Sequence, residues 1–96
     1  MIVRFHPLIR RDVRAIVEYF DARSNTAGAR FLEEFAAAVD RIRRSPLGFH
    51  PMDAKRRRCN LVRFPYHLVF EINGEEVHLL VVRHHKRHPG FGQERH

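Results

Sequence analysis

Two apolar runs, residues 66–72 and 77–82, flank the dipeptide Asn73-Gly74, and this arrangement restricts the fold more than any other feature of the chain. Asn-Gly readily supplies the two positive φ angles of a tight two-residue loop, so the runs should pair as an antiparallel hairpin. Just upstream, residues 57–64 interleave arginines with Leu61 and Val62, as suits a strand with one wet face. Pro65 cannot donate to a sheet ladder and should end that strand before the next begins. Three strands in succession make a meander whose ends carry Arg, Lys and His. Such a surface suits a polyanion or an acidic protein better than a neutral metabolite.

The first half of the chain has a different period. Residues 2–5 form a short apolar run that stops at His6-Pro7, and proline is favoured in the first turn of a helix. From Pro7 to about Ala22, Ile9, Val13, Ile16, Val17 and Phe20 recur on one face, with Arg10, Arg11, Arg14 and Glu18 on the wet side. Ser24 or Asn25 can cap a second helix that runs to about Arg44 and buries Phe31, Leu32, Phe35, Val39 and Ile42. Tyr19, Phe31 and Phe35 are expected in the core. Ser45-Pro46 ends this helix, and residues 47–54 should be a loop. The expected fold is α+β in the order β-α-α-β-β-β, with a helical hairpin on a small curved antiparallel sheet and the first strand pairing inside it. Residues 91–96 are polar and expected to fray.

The 96 residues are expected to form one domain, with a core large enough for one sheet and two helices. The formal net charge is +7, which fits nucleic acid or an acidic partner equally. Cys59 is the only cysteine, so no internal disulfide is possible, and a reducing cytoplasm is the expected location. No apolar run approaches the roughly 18 residues of a membrane span, and no signal-like apolar stretch opens the chain.

Candidate binding residues gather in the second half. Residues 55–58 are four consecutive cations, and residues 55–88 contain only three acidic side chains. Arg57, Arg58, Arg63, His67, Arg83, His84, Lys86 and Arg87 therefore form the candidate target-binding set. Alternation places Tyr66 with Leu68, Phe70 and Ile72 in the core, and His67 on the opposite face with Val69 and Glu71, open to solvent or substrate. His84, His85 and His88 have no carboxylate or cysteine close in sequence and lack metal-site spacing, so no metal and no cofactor is expected. His84 reads as a structural histidine at the sheet end. Cys59 reads as packing, and Glu33-Glu34 as solubilising charge.

Four motifs resemble the RelE/ParE superfamily of toxins from type II toxin–antitoxin modules. They are the His6-Pro7 helix opening, the YF-x-x-x-S…A-x-RF run from Tyr19 to Phe31, the RFPYHLVFEI strand from Arg63 to Ile72, and the H-x-x-R-x-P-G ending from His84 to Gly90. The resemblance is closest to the ParE-like, plasmid-stabilisation branch. It implies an acidic cognate antitoxin that wraps the toxin into a hetero-oligomer. For a ParE-like member it implies growth inhibition by binding DNA gyrase, without a catalytic step of its own. The RelE-like branch instead cuts messenger RNA on the ribosome, and for that alternative the catalytic candidates are Arg63, His67, His84 and Arg87. Here His67 stands where that branch has a strand arginine, and Phe91 stands where it often has tyrosine. A third alternative is an inactive relative that only binds an antitoxin.

Overall fold

The computed structural model describes residues 1–96. The chain runs through β1 (Ile2–Phe5), α1 (Ile9–Asp21), α2 (Ala27–Arg44), a single 3₁₀ turn (Pro46–Gly48), β2 (His50–Pro51), β3 (Arg56–Asn60), β4 (Tyr66–Asn73) and β5 (Glu76–His84). The five strands form one sheet in the order β1-β5-β4-β3-β2. The helical hairpin packs on one face of it, as the α+β reading expects. No helix is long and apolar enough to cross a membrane.

The β4–β5 hairpin is the centre of the sheet. Its loop is Gly74-Glu75 rather than Asn73-Gly74, because Asn73 still pairs with Glu76. Only Gly74 takes a positive φ, at 61°, so one left-handed residue at the first loop position closes the turn, which fits a type II′ hairpin. Leu68, Phe70, Val77, Leu79 and Val82 face the helices. The register slips between Val69 and Phe70, leaving Leu80 as an extra residue on β5 and bending that strand.

The sheet is mixed, which corrects the expectation of a purely antiparallel sheet with the first strand inside it. β1 lies at an edge and runs parallel to β5, pairing Ile2 with Glu76 through Phe5 with Leu79. Its ladder continues for one bond, His6 N–H to Leu79 O at 2.9 Å, and then meets Pro7, which has no N–H to give. The far edge is β2, a two-residue strand inside the expected loop, held antiparallel to Arg57 and Arg58. β3 also stops earlier than expected. Past Asn60 the chain leaves the ladder because Glu34 on α2 accepts from Val62 N–H at 2.7 Å and Arg63 N–H at 2.9 Å. Glu34 is thus a loop anchor rather than merely solubilising charge.

The helices follow their apolar period. Phe31 is fully buried and lies against Phe20, Phe35, Phe64 and Tyr66, with ring centroids 5.5–6.5 Å away. Ser24 Oγ accepts from Thr26 and Ala27 N–H at the start of α2, as its capping chemistry suggests. Two expected core residues are outside it: Tyr19 is 50% exposed and Leu32 43% exposed. Helical spacing puts both on the shoulder of the buried stripe, where the hairpin partner rather than the period decides coverage.

Residues 91–96 do not fray. They cross the sheet face opposite the helices, where Arg83 Nη1 donates to Pro89 O and Phe91 O, each at 2.8 Å. Arg56 Nη2 donates to Gln93 O at 2.7 Å and to Arg95 O at 3.1 Å. Two arginines on neighbouring regions of the sheet thus take alternate carbonyls of the tail. Gly92, at φ 79°, lies so close to Val81 that a Cβ would come within 2.8 Å of it. Asp12 and Arg95 form a buried ion pair at the edge of β5 that β1 leaves free. The polar composition of the tail hid these contacts, since Arg56 and Asp12 lie far away in sequence.

Candidate functional site

At the end of β4 and β5, on the tail side of the sheet, four basic side chains form one hydrogen-bonded chain. His67 stands opposite Arg83 across the ladder, and His85 follows Arg83 by two residues on the same face. Arg83 Nε donates to His67 Nε2 at 3.0 Å. A guanidinium can only donate, so His67 Nε2 is the acceptor and its proton resides on Nδ1. That Nδ1 lies 2.9 Å from His85 Nδ1 and donates to it. Arg58 Nη2 donates to the same His85 nitrogen at 3.1 Å, and Arg58 Nε donates to Asn60 Oδ1 at 2.7 Å. The two imidazole planes lie within 14° of each other with centroids 5.1 Å apart, as for rings joined edge to edge by the hydrogen bond between their Nδ1 atoms. His85 consequently holds its own proton on Nε2, which points away from the network.

The electrostatics agree with this tautomer assignment. Burial, then the charges of Arg58 and Arg83, lower the pKa of His67 to about 3. Burial and Arg58 also lower that of His85. Both rings are neutral at physiological pH, because a proton added at His67 Nε2 would face the Arg83 N–H, and one added at His85 Nδ1 would face the His67 and Arg58 donors.

The expected solvent-facing His67 is therefore corrected: it is 2% exposed, covered by His85 and the tail. Arg83 is buried as well, committed to His67 and the tail carbonyls. Arg57 turns inward and donates to Phe49 O at 2.7 Å. Among the candidate target-binding residues, Lys86, Arg87 and Arg63 are exposed and Arg58 is partly so, and none of these four has a carboxylate partner. Arg63 sits in the β3–β4 connection on the α2 side, outside the His67 network. Two neighbouring histidines serve the backbone: His84 Nδ1 accepts from Lys86 N–H and His88 Nδ1 from Gly90 N–H, both at 2.9 Å. His84 also packs edge-on against Tyr66, in line with its structural reading. Cys59 is fully buried, and burial raises its pKa, so it is packing as expected.

His85 was absent from the candidate set, although the strand period starting at Arg83 reaches it. Asp12 and Arg95 carried no local signal at all, and Arg56 stood out only as one of the four cations of residues 55–58.

Beside the network, α1 and the end of β5 enclose an open cleft of about 510 Å³. Ile16, Tyr19, Tyr66, Val82 and Phe91 supply an apolar lining, and Arg11 and Arg87 add cations. Arg87 stacks on Phe91 with its guanidinium carbon 4.2 Å from the ring centre, and Arg23 covers Tyr19 at 3.7 Å. An apolar groove bordered by cations is shaped for an amphipathic, acidic peptide.

Comparison with known proteins gives a consistent answer. Residues 3–89 match the family described as ParE toxin of type II toxin-antitoxin system, parDE. The fold is similar to a solved chain of the chromosomal ParDE toxin–antitoxin system from P. aeruginosa. The TM-score is 0.77 at 15% identity, over 88% of this chain and 95% of that one. No curated protein sequence matches.

Proposed function

Because the chain belongs to the ParE toxin family of type II toxin–antitoxin systems, we propose that it inhibits growth by binding DNA gyrase through the cationic end of its sheet. We propose further that a cognate antitoxin neutralises it. The observation that carries the binding reading is the saturated histidine network. His67 uses both ring nitrogens, and His85 Nδ1 takes two donors. What this end of the sheet presents outward is a set of donors and cations, with no ring lone pair free to take a proton from a ribose hydroxyl. General-base chemistry needs such a lone pair within hydrogen-bond reach of the substrate.

The antitoxin reading rests on the cleft against α1, with Tyr19 and Leu32 exposed on the helical hairpin and β1 open along one edge of the sheet. An acidic amphipathic segment would cover this apolar surface and offset part of the +7 charge. Cytoplasmic action follows from the same reading, since the proposed target is there.

The deciding experiment is induction of this chain alone in bacteria, with replication and translation followed separately in the first minutes. Blocked replication with intact messages is the expected result. A prompt fall in translation with cleaved messages would replace this reading with ribosome-dependent messenger-RNA cleavage. Normal growth with a folded protein and tight antitoxin binding would mark an inactive relative.

A further inference from the structure

The same end of the sheet carries a more specific arrangement than net charge. Arg58 is held at two points, by Asn60 Oδ1 and His85 Nδ1, so its guanidinium is fixed while Nη1 keeps no partner. His85 is fixed by two donors into its Nδ1, from His67 and from Arg58, which leaves Nε2–H as an outward donor. Lys86 is the next residue, exposed and unpaired, and its backbone N–H is tied to His84. Arg58 and His85 thus hold two outward donors in place, Lys86 adds an exposed cation at the next position, and no carboxylate pairs with any of the three.

We propose that Arg58, His85 and Lys86 form a binding site for a phosphodiester group of nucleic acid, so that the chain grips a nucleic-acid backbone directly. The outward atoms are all donors, matching the acceptor-only oxygens of an anion, and the distribution of apolar surface selects a phosphodiester over an acidic peptide. Apolar anchors, which a docked peptide requires, are concentrated in the separate cleft beside α1. Asn60, the one amide nearby, has its oxygen spent on Arg58, so it cannot make the bidentate amide contact to adenine, and a grip on phosphate oxygens should carry little base preference. This inference does not depend on gyrase being the target, and its test uses nucleic acid alone.

The test is fluorescence anisotropy with a labelled short DNA duplex, a single-stranded RNA and a poly-glutamate peptide, over a range of salt. Arg58→Gln and Lys86→Gln should each reduce the slope of log K against log salt by about one, the loss expected for one phosphate contact. His85→Asn keeps an acceptor in place of Nδ1 for Arg58 and His67 but removes the outward Nε2–H. It should weaken binding about tenfold with little change in slope. Arg14→Gln, on the wet side of α1, is the control for general charge and should bind like wild type. Amide spectra of each variant establish that it is folded. Tighter binding of DNA or of RNA supports the site and identifies the source of the phosphodiester. The proposal is overturned by equal affinity for poly-glutamate, by an Arg14→Gln effect equal to those of Arg58→Gln and Lys86→Gln, or by no measurable binding of either nucleic acid at low salt.

Discussion

Arg95 reaches Asp12 on α1 with two hydrogen bonds, Nη1 to Oδ2 at 2.6 Å and Nη2 to Oδ1 at 3.1 Å, both side chains buried. The pair finishes the edge of β5 beyond the end of β1. Asp12 Oδ2 also accepts from Val82 N–H at 3.2 Å, and Arg95 Nη1 also donates to Leu80 O at 3.1 Å. Two side chains thereby do for β5 what a longer β1 would have done with backbone.

Removing one partner leaves a buried charge uncompensated. Asp12→Ala or Arg95→Ala should each cost about 3–5 kcal/mol, a large share of the roughly 5–15 kcal/mol that holds a small domain together. Arg95 Nε is buried without an acceptor, so the pair itself is not ideal. Replacing both residues, as Asp12→Leu with Arg95→Met, should recover part of the loss, the rest being the cost of leaving Val82 N–H and Leu80 O without partners. Urea unfolding of the three variants checks this, and a double variant as unstable as the singles would contradict it.

Gly74 and Gly92 both have positive φ, but they differ in surroundings. A Cβ at Gly74 meets nothing within 4 Å, so Gly74→Ala should cost only the backbone penalty, about 1 kcal/mol. At Gly92 the same Cβ strikes Val81, so Gly92→Ala should cost about 3 kcal/mol as strain and overpacking add. Thermal unfolding of the two variants side by side would show it. Equal losses would mean that the tail is not seated on β5.

The depressed pKa of His67 makes stability depend on pH in a defined direction. The unfolded chain binds a proton at this residue near pH 6.5, whereas the folded protein resists until about 3. Its contribution is complete above the unfolded pKa and is lost as pH falls, at up to about 1.4 kcal/mol per pH unit. Burial of His85 acts in the same sense. In His67→Gln the side-chain oxygen can still accept from Arg83, and no proton is taken up. The difference in urea midpoint between wild type and this variant should therefore shift with pH between 7 and 5, wild type losing more. Parallel curves would refute the buried neutral tautomer.

Exposed residues of the cleft should matter to the partner and not to the fold. Tyr19→Ala should change stability by less than about 0.5 kcal/mol. In complex with the antitoxin it should cost more than about 1 kcal/mol, as a buried aromatic anchor does. Arg87→Ala should act similarly through its contact with Phe91. Calorimetric titration with the cognate antitoxin measures both. Wild-type affinity in both variants would move the antitoxin away from this cleft.

The elements and the resemblance were legible in local sequence. Periods of 3.6 and 2, the proline stops and Gly74 defined two helices and a central hairpin, because each of those signals acts within a few residues. The clustering of cations toward the ends of β3 and β5 was legible for the same reason. Tertiary structure alone decided the rest. A four-residue strand carries no record of its partner, so the parallel pairing of β1 with β5 depended on which ladder edge remained open. The tail read as loose because polar residues order only when their partners arrive, and Asp12 and Arg56 arrive from distant segments. Period placed His67 on the correct face but not its exposure, since the layer covering that face is built from the end of the chain. Burial and hydrogen-bond direction then turned an expected surface histidine into the support of His85, because these depend on every neighbour at once.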